Sequence, residues 1–297
     1  FIDYILHSIQ YDFISFKLHE EAQKIDFTSD NSEIYNVKFT KNELIQVIAN
    51  LKNTAPGADQ IHNLMIKNLP DHMIDHVLDM FNSFWSNNFF PDEWKIATII
   101  PIPKDSTNRL KPSNYRPISL TSALGKVFER LIADRLRWIL EKKGILANIQ
   151  CGARKNRSTL DHLINLQSQI LQSFKKKEIT VALFFDIEKA YDTTWRHKIL
   201  KTLFDWKIRG NLPTLLQHLL TNRKFQVKAN STFSDVLLQE NGIPQGSVLS
   251  VILFLIAIND IARCLPKGIK GSLFVDDFWV YISTKNIKIA KLCLRKT

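Results

Sequence analysis

Two adjacent aspartates, Asp276 and Asp277, interrupt an otherwise apolar segment that runs from Gly271 to Ser283, and this pattern constrains the fold more than any other feature of the chain. Apolar residues on both sides of a short polar break are typical of a β-hairpin that turns at the break. Burying an unpaired carboxylate is costly, and two carboxylates this close repel each other. The pattern therefore predicts a hairpin with both carboxylates at its tip, either as a solvated turn or as a site that a bound dication stabilises.

A third aspartate has a comparable setting. Asp186 follows the apolar run Thr180–Phe185, which predicts a buried strand that ends at this acid. A strand-end aspartate together with an acidic pair at a hairpin tip is the set that two-metal phosphoryl transfer requires, and hard oxygen ligands favour Mg²⁺. Only tertiary folding can bring the two segments together, because they are far apart in the sequence.

Apolar periodicity and the positions of Pro and Gly predict an α+β fold, with a mostly helical first half and a mixed second half. The predicted helices are Thr40–Leu51 with Thr40 as its cap, Ile61–Trp85 with a break near Pro70, Ser122–Lys142, Ser158–Phe174, one from about Thr194, and the apolar run after the loop 242–246. The other predicted strands are Trp94–Ile102 and the pair Phe225–Ala229 and Asp235–Gln239.

Composition favours a polyanionic partner. Forty Lys and Arg residues against 29 Asp and Glu give a formal net charge of +11, which suits nucleic acid, although a solvated basic surface explains the charge equally well. The three cysteines have no metal-ligand spacing, and the amino-terminal residues do not resemble a signal peptide. The most apolar run, Val248–Ile258, is shorter than the about 20 residues that span a bilayer, so we expect a buried helix and no membrane partner.

Seven sequence blocks occur in a characteristic order. FDIEKAYD, NGIPQGSVLS and FVDD have the order and spacing of reverse-transcriptase motifs A, B and C. Upstream of them stand KNTAPGADQI, FPDEWKIATIIPIPK, NYRPISLTSALGKVFERLIADRL and QCGARKNRSTLDHL. Over roughly residues 38 to 284 the chain resembles the reverse transcriptases of non-LTR (LINE-like) retrotransposons, specifically the jockey-type branch.

The resemblance implies the fingers and palm of a right-hand polymerase, in which the palm is an antiparallel sheet backed by helices. Residues 1–37 would be a helical extension from an upstream region, 38–178 the fingers and 179–297 the palm. We expect no thumb, because too few residues follow the hairpin, and the chain would then be a fragment or a truncated copy.

The implied activity is that of an RNA-directed DNA polymerase that uses two Mg²⁺ ions, or Mn²⁺ as a substitute, with an RNA template, a DNA primer and dNTPs. The expected location is intracellular, in nucleus and cytoplasm as a ribonucleoprotein. A catalytically inactive nucleic-acid-binding remnant is the alternative: the missing thumb supports it and the intact aspartates oppose it. An RNA polymerase or a maturase of the same palm type fits the motifs less well. The sequence does not indicate the oligomeric state.

The resemblance assigns catalysis to Asp186, Asp276 and Asp277, with Asp186, Asp276 and the Ile187 carbonyl as metal ligands. Tyr191 would be the steric gate against a ribose 2′-hydroxyl, and a core aromatic is its alternative. Gln245 and Gly246 would line the nucleotide site, although a Gly/Pro loop that only caps a helix has the same appearance.

The same comparison places Lys104 and Arg116 at the triphosphate, and Arg154, Lys155 and Arg157 along the template backbone, with solvated surface cations as the alternative. Three residues depart from the family pattern, which has Phe at Ala153, Pro at Val251 and Ala at Val275. Val275 suits a strand end because it is β-branched. Ala153 and Val251, by contrast, indicate a copy that has drifted without strict selection.

Overall fold

A computed structural model describes residues 25–104, 114–187 and 189–295. The described helices are α1 (Lys41–Ala49), α2 (Asn63–Lys67), α3 (Asp71–Ser86), α4 (Ala123–Lys142), α5 (Thr159–Lys175), α6 (Arg196–Asp205), α7 (Asn211–Leu220), α8 (Ser250–Ile258) and α9 (Ile287–Leu294). The described strands are β1 (Ile96–Pro103), β2 (Tyr115–Leu120), β3 (Ile179–Phe185), β4 (Lys224–Ala229), β5 (Thr232–Phe233), β6 (Leu237–Leu238), β7 (Lys270–Phe274) and β8 (Asp277–Thr284). The predicted α+β class is confirmed.

Local signals in the sequence fix several helix ends. Thr40 caps α1 through a capping box, in which its hydroxyl accepts from the Glu43 N–H at 3.3 Å and the Glu43 carboxylate accepts from the Thr40 N–H at 2.7 Å. Pro70 separates α2 from α3, as predicted. Residues 25–37 contain one 3-10 turn, Ile34–Asn36, instead of the predicted helix, and residues 1–24 of that predicted extension lie outside the described part.

Helix α4 is the centre of the helical half. Its Phe128 stacks on Phe81 and Phe90 with ring centroids 4.9 and 6.0 Å apart. The apolar spacing of α4 predicts Arg135 on the opposite, solvent-facing side of the helix, but Arg135 is buried. Its guanidinium lies 4.1 Å from the Phe39 ring centroid and 3.2 Å from the Glu43 carboxylate. An ion pair with a residue far away in the sequence therefore compensates the buried charge.

The described strands form two sheets. In the first, β1 pairs antiparallel with β2 and parallel with β4, and β4 also pairs with β5 and β6. The predicted partner of β4, Asp235–Gln239, was only partly correct, because its two strand residues form β6 and the hairpin partner of β4 is β5. The second sheet has the antiparallel order β3-β8-β7 and contains the predicted acidic hairpin.

Strand β3 was predicted to be buried, and it is instead an edge strand that pairs only with β8 in this sheet. Phe184 is 71% exposed, whereas Phe185 on the opposite face stacks on Phe278 at 5.6 Å. A continuous apolar run usually indicates burial on both faces, but such a run cannot reveal that a strand lies at an edge.

Two apolar clusters form the core. The larger one extends from Phe27 to Ile256 and unites residues of the predicted fingers and palm, including Phe128 from α4 and Phe254 from α8. The smaller one lies between the second sheet and α9, where Phe278 and Val280 meet Ala290. No helix in the described ranges has both the length and the apolar character needed to cross a membrane.

Candidate active site

The antiparallel register of the second sheet brings the three predicted aspartates to one end. Phe185 of β3 pairs with Phe278 of β8, so Asp186, which follows Phe185, and Asp277, which precedes Phe278, lie at the same end of the sheet. Phe274 pairs with Asp277 across the hairpin, which leaves Val275 and Asp276 as the two residues of the turn itself. The fold therefore brings Asp186, Asp276 and Asp277 to one end of this sheet, and their catalytic roles stay predictions.

Electrostatics link these carboxylates. Burial raises the pKa of Asp276, and the charges of Asp277 and Asp186 raise it further. The charge of Asp276 also adds to the effect of burial in raising the pKa of the Tyr191 hydroxyl. Tyr191 consequently lies within electrostatic reach of Asp276, and its position beside the nucleotide stays a prediction.

The donor chemistry of the cluster fits a hard dication. All its donors are oxygens, and burial together with the two neighbouring carboxylates raises the pKa of Asp276, so a bound dication would stabilise the anionic form. Within the described residues, three or more His, Cys, Asp or Glu side chains do not converge into a ready-made metal cluster. The predicted ligand set has only two carboxylates, from Asp186 and Asp276, with the Ile187 carbonyl as the third donor.

The residue before Asp276 has an unusual backbone. Val275 has a φ of 59°, in the left-handed region that is unfavourable for a β-branched residue. The interpretation of Val275 as a strand-end residue was wrong, because it occupies the first position of a two-residue hairpin turn, where glycine is usual. The surrounding structure must therefore hold this turn in place.

Tyr191 contacts both the core and the loop before α8. Its ring is half-buried, with a centroid 5.5 Å from that of Phe254, and its carbonyl accepts from the Ile243 N–H at 2.8 Å. Gly242 has a φ of 75°, and a Cβ there would lie 2.4 Å from the Asp192 carbonyl oxygen. Glycine therefore permits the loop to pack directly on the backbone that follows Asp186.

Gln245 and Gly246 lie between this region and the first sheet. The Gln245 carbonyl accepts from the Ser119 N–H at 2.9 Å, and a Cβ at Gly246 would lie 2.6 Å from the Ser119 carbonyl oxygen. Gln245, Pro117 and Asp192 line a cavity of about 260 Å³. Gly246 lines a larger groove of about 760 Å³, together with the cations Lys126 and Arg130.

The two predicted fingers cations lie on the β1–β2 hairpin. Lys104 follows β1, and its N–H donates to the Asn114 carbonyl at 2.8 Å. Arg116 is exposed on β2, where it pairs with Ile102. Their contact with a triphosphate stays a prediction.

The predicted template-binding cations differ in their surroundings. Lys155 is exposed. Arg154 forms a forked ion pair with Glu141, at 2.8 and 2.7 Å, and also donates to the Ala147 carbonyl at 3.0 Å. Arg157 donates to the Asn148 carbonyl at 2.5 Å. The two arginines thus support their own loop, and template contact stays a prediction for all three.

Sequence analysis missed two buried polar residues near the site. Glu129 of α4 accepts from the Ser247 hydroxyl at 2.5 Å and from the Val248 N–H at 2.8 Å, so it ties α4 to the loop before α8. Gln150 contacts the Val275 turn. An acid within the apolar face of α4, in the run VFERL, was an available signal for Glu129. Gln150 had no such signal.

Residues 102–297 match the family model described as reverse transcriptase (RNA-dependent DNA polymerase). This match covers more than half of the chain, which therefore belongs to the reverse transcriptase family. The predicted resemblance is confirmed.

Within this family, the chain is similar to proteins of non-LTR retrotransposons. It is 35% identical to the probable RNA-directed DNA polymerase from transposon BS of Drosophila melanogaster, over 74% of this chain and 24% of that protein. It is 31% identical to the RNA-directed DNA polymerase from mobile element jockey of the same species, over 84% of this chain and 28% of that protein. The chain thus spans about a quarter of the length of these relatives. A solved structure of apo telomerase from Candida tropicalis, truncated from its C-terminal domain, matches 74% of this chain and 51% of its own with a TM-score of 0.48 and 15% identity.

Proposed function

We propose that this chain is the catalytic fingers-and-palm part of an RNA-directed DNA polymerase from a jockey-like non-LTR retrotransposon. One observation supports the proposal: Asp186 follows and Asp277 precedes the paired residues Phe185 and Phe278, Asp276 lies in the adjoining turn, and Tyr191 is within reach of its charge. Such a carboxylate set at the end of a rigid sheet suits phosphoryl transfer.

The family resemblance implies the metal ligands, and their oxygen donors support the assignment. Asp186, Asp276 and the Ile187 carbonyl would hold two Mg²⁺ ions, or Mn²⁺ in their place, with Asp277 as a supporting carboxylate. The ions would neutralise charge on the reacting phosphate oxygens. The protein itself contributes position, because the strand pairing of β3 with β8 fixes Asp186 relative to the hairpin.

The nucleotide would lie between the carboxylates and the loop before α8. Tyr191 would exclude a 2′-hydroxyl, and Gln245 and Gly246 would contact the dNTP from the loop that packs on Ser119. Lys104 and Arg116, on the hairpin of the same sheet as Ser119, would approach the triphosphate.

An RNA template and a DNA primer are the proposed macromolecular partners. The excess of basic residues supports sequence-independent contact with phosphates, to which exposed Lys155 would contribute together with Arg154 and Arg157. A ribonucleoprotein of this kind would occur in cytoplasm and nucleus.

Primer extension on an RNA template tests the proposal. We expect Mg²⁺-dependent extension with dNTPs, weak extension with rNTPs, and none with Asp186→Asn. Asp205→Asn is the matched control, because Asp205 is an exposed acid at the end of α6. Duplex binding without any extension would instead identify an inactive nucleic-acid-binding remnant.

A further inference from the structure

Gln150 holds the turn that carries Asp276. Its side chain is only 3% exposed, and its Oε1 accepts from the Val275 N–H at 3.1 Å and from the Gly152 N–H at 2.8 Å. Its Nε2 donates to the Val275 carbonyl at 3.4 Å. One amide group therefore binds both polar groups of the residue that precedes Asp276.

The backbone around Gln150 continues this contact. The Cys151 N–H donates to the Leu273 carbonyl at 2.7 Å, and the Leu273 N–H donates to the Ile149 carbonyl at 2.8 Å. Residues 149–151 thus lie along the free edge of β7. A Cβ at Gly152 would be 2.4 Å from the Val275 nitrogen, so glycine is what lets the loop reach the turn.

Two arginines fix the other side of Gln150. Its carbonyl accepts from Arg157 at 3.3 Å and from Arg154 at 3.4 Å. Arg154 is itself held by Glu141 of α4. The hydrogen bond from Arg154 is the main cause that lowers the pKa of the Glu141 carboxyl group. A chain of contacts therefore runs from α4 through Arg154 and Gln150 to the turn.

We propose that Gln150 is a positioning residue that holds the Val275–Asp276 turn in its metal-binding conformation. The inference rests on the proposed function. Val275 has a φ that is unfavourable for valine, so the turn depends on neighbours that fix it. Without the amide clamp, the turn would relax toward negative φ and move the Asp276 carboxylate away from Asp186.

The test uses this chain with Gln150→Met, which keeps the length and approximate volume of the side chain but removes all three amide hydrogen bonds. We expect Mn²⁺ binding, followed by the electron paramagnetic resonance of free Mn²⁺, to weaken by about tenfold or more, as for other residues that orient ligands. In metal-free protein, we expect faster hydrogen exchange in the peptide that spans residues 273–277, because the Val275 N–H loses its acceptor.

Gln169→Met is the matched control. Gln169 also links α5 to the second sheet, through Ser283 at 3.2 Å and Lys270 at 2.8 Å, but it lies at the end away from the turn. We expect it to lower the melting temperature without changing Mn²⁺ affinity or exchange at 273–277. If Gln150→Met does not fold, Gln150→Asn serves instead, because its amide is one methylene too short to reach the turn, and the same weakening is expected.

Unchanged Mn²⁺ affinity and unchanged exchange in the Gln150 variants would overturn this inference. Failure of the wild-type chain to bind Mn²⁺ would overturn the metal assignment under the proposed function. The two failures are therefore distinguishable.

Discussion

Asp276 is half-buried in the hairpin turn, where burial and the charges of Asp277 and Asp186 raise the pKa of its carboxyl group. The folded state consequently binds the Asp276 proton more tightly than the unfolded state does. The contribution of this group to the free energy of unfolding thus falls as pH rises from the ordinary carboxyl pKa through the raised value, and stays lost at neutral pH.

Asp276→Asn should therefore stabilise the metal-free protein at neutral pH while abolishing metal-dependent extension. Solvent screening at this partly exposed site keeps the expected gain at or below about 1 kcal/mol. The gain should shrink as pH falls below the ordinary carboxyl pKa, where the wild-type group is also protonated. Denaturant unfolding at several pH values measures it, and a variant that extends primers at the wild-type rate would refute the metal assignment.

Tyr191 allows a test of the steric gate. Tyr191→Ala should raise rNTP incorporation relative to dNTP incorporation by roughly two decades, because the excluded 2′-hydroxyl then fits. The kcat/KM for dNTP incorporation should change by less than about tenfold, since the ring does not touch the reacting phosphorus. Single-nucleotide kinetics with both substrates measure this ratio.

A control variant separates the proposed steric role of Tyr191 from a role in core packing. Phe254→Leu removes the ring that Tyr191 contacts in the core and leaves Tyr191 in place. We expect it to lower stability by about 1–2 kcal/mol with an unchanged rNTP/dNTP ratio. Equal loss of both activities in Tyr191→Ala, together with a large fall in melting temperature, would mean that Tyr191 is only a packing residue.

At the scale of elements, α4 and the loop before α8 depend on Glu129. Glu129→Leu would leave the buried Ser247 hydroxyl and Val248 N–H without their acceptor, and Arg223 is fully buried and electrostatically coupled to Glu129. We expect a loss of about 3–5 kcal/mol in the free energy of unfolding. Kinetics should show a higher KM for dNTPs as the loop shifts.

Glu129→Gln is the paired variant, because its amide oxygen can accept the same two hydrogen bonds. It should lose less stability and keep dNTP affinity close to wild type. Equal losses in both variants would indicate that the charge opposite Arg223, and not the hydrogen bonds, is what matters.

The sequence predicted elements well where the signal was local. The Thr40 cap, the break at Pro70 and the acidic hairpin each depend on residues that are close in sequence, and the structure has all three. The errors came from partners that are distant in sequence. Arg135 is buried because Glu43 and Phe39 contact its guanidinium, and Phe184 is exposed on β3, an edge strand among the described strands of its sheet.

The candidate site shows the same division. The order of the motifs in the sequence identified Asp186, Asp276 and Asp277 as candidates. In the structure, the strand register brings these three residues to one end of the second sheet. The turn conformation of Val275 and its contact with Gln150 could not be predicted, because a β-branched residue favours a strand and Gln150 is far away in the sequence. Supporting residues of this kind emerge only from tertiary contacts.

At the scale of the whole molecule, the net charge of +11 should govern binding to nucleic acid. We expect the affinity for an RNA–DNA duplex to fall linearly on a log–log plot between about 50 and 200 mM salt, because each phosphate contact releases a counterion. Fluorescence anisotropy with a labelled duplex measures the slope. Replacement of Lys155 by Ala should reduce the magnitude of this slope by about one, because one phosphate contact is lost. A flat dependence would exclude a groove that tracks the phosphate backbone.

The larger apolar cluster joins residues on both sides of position 178, from Phe128 in α4 to Phe254 in α8. A chain cut at that predicted boundary would expose half of this cluster on each piece, so neither piece should fold alone. A deletion that removes either side of the cluster should therefore leave the remaining side without a core and unable to bind nucleic acid.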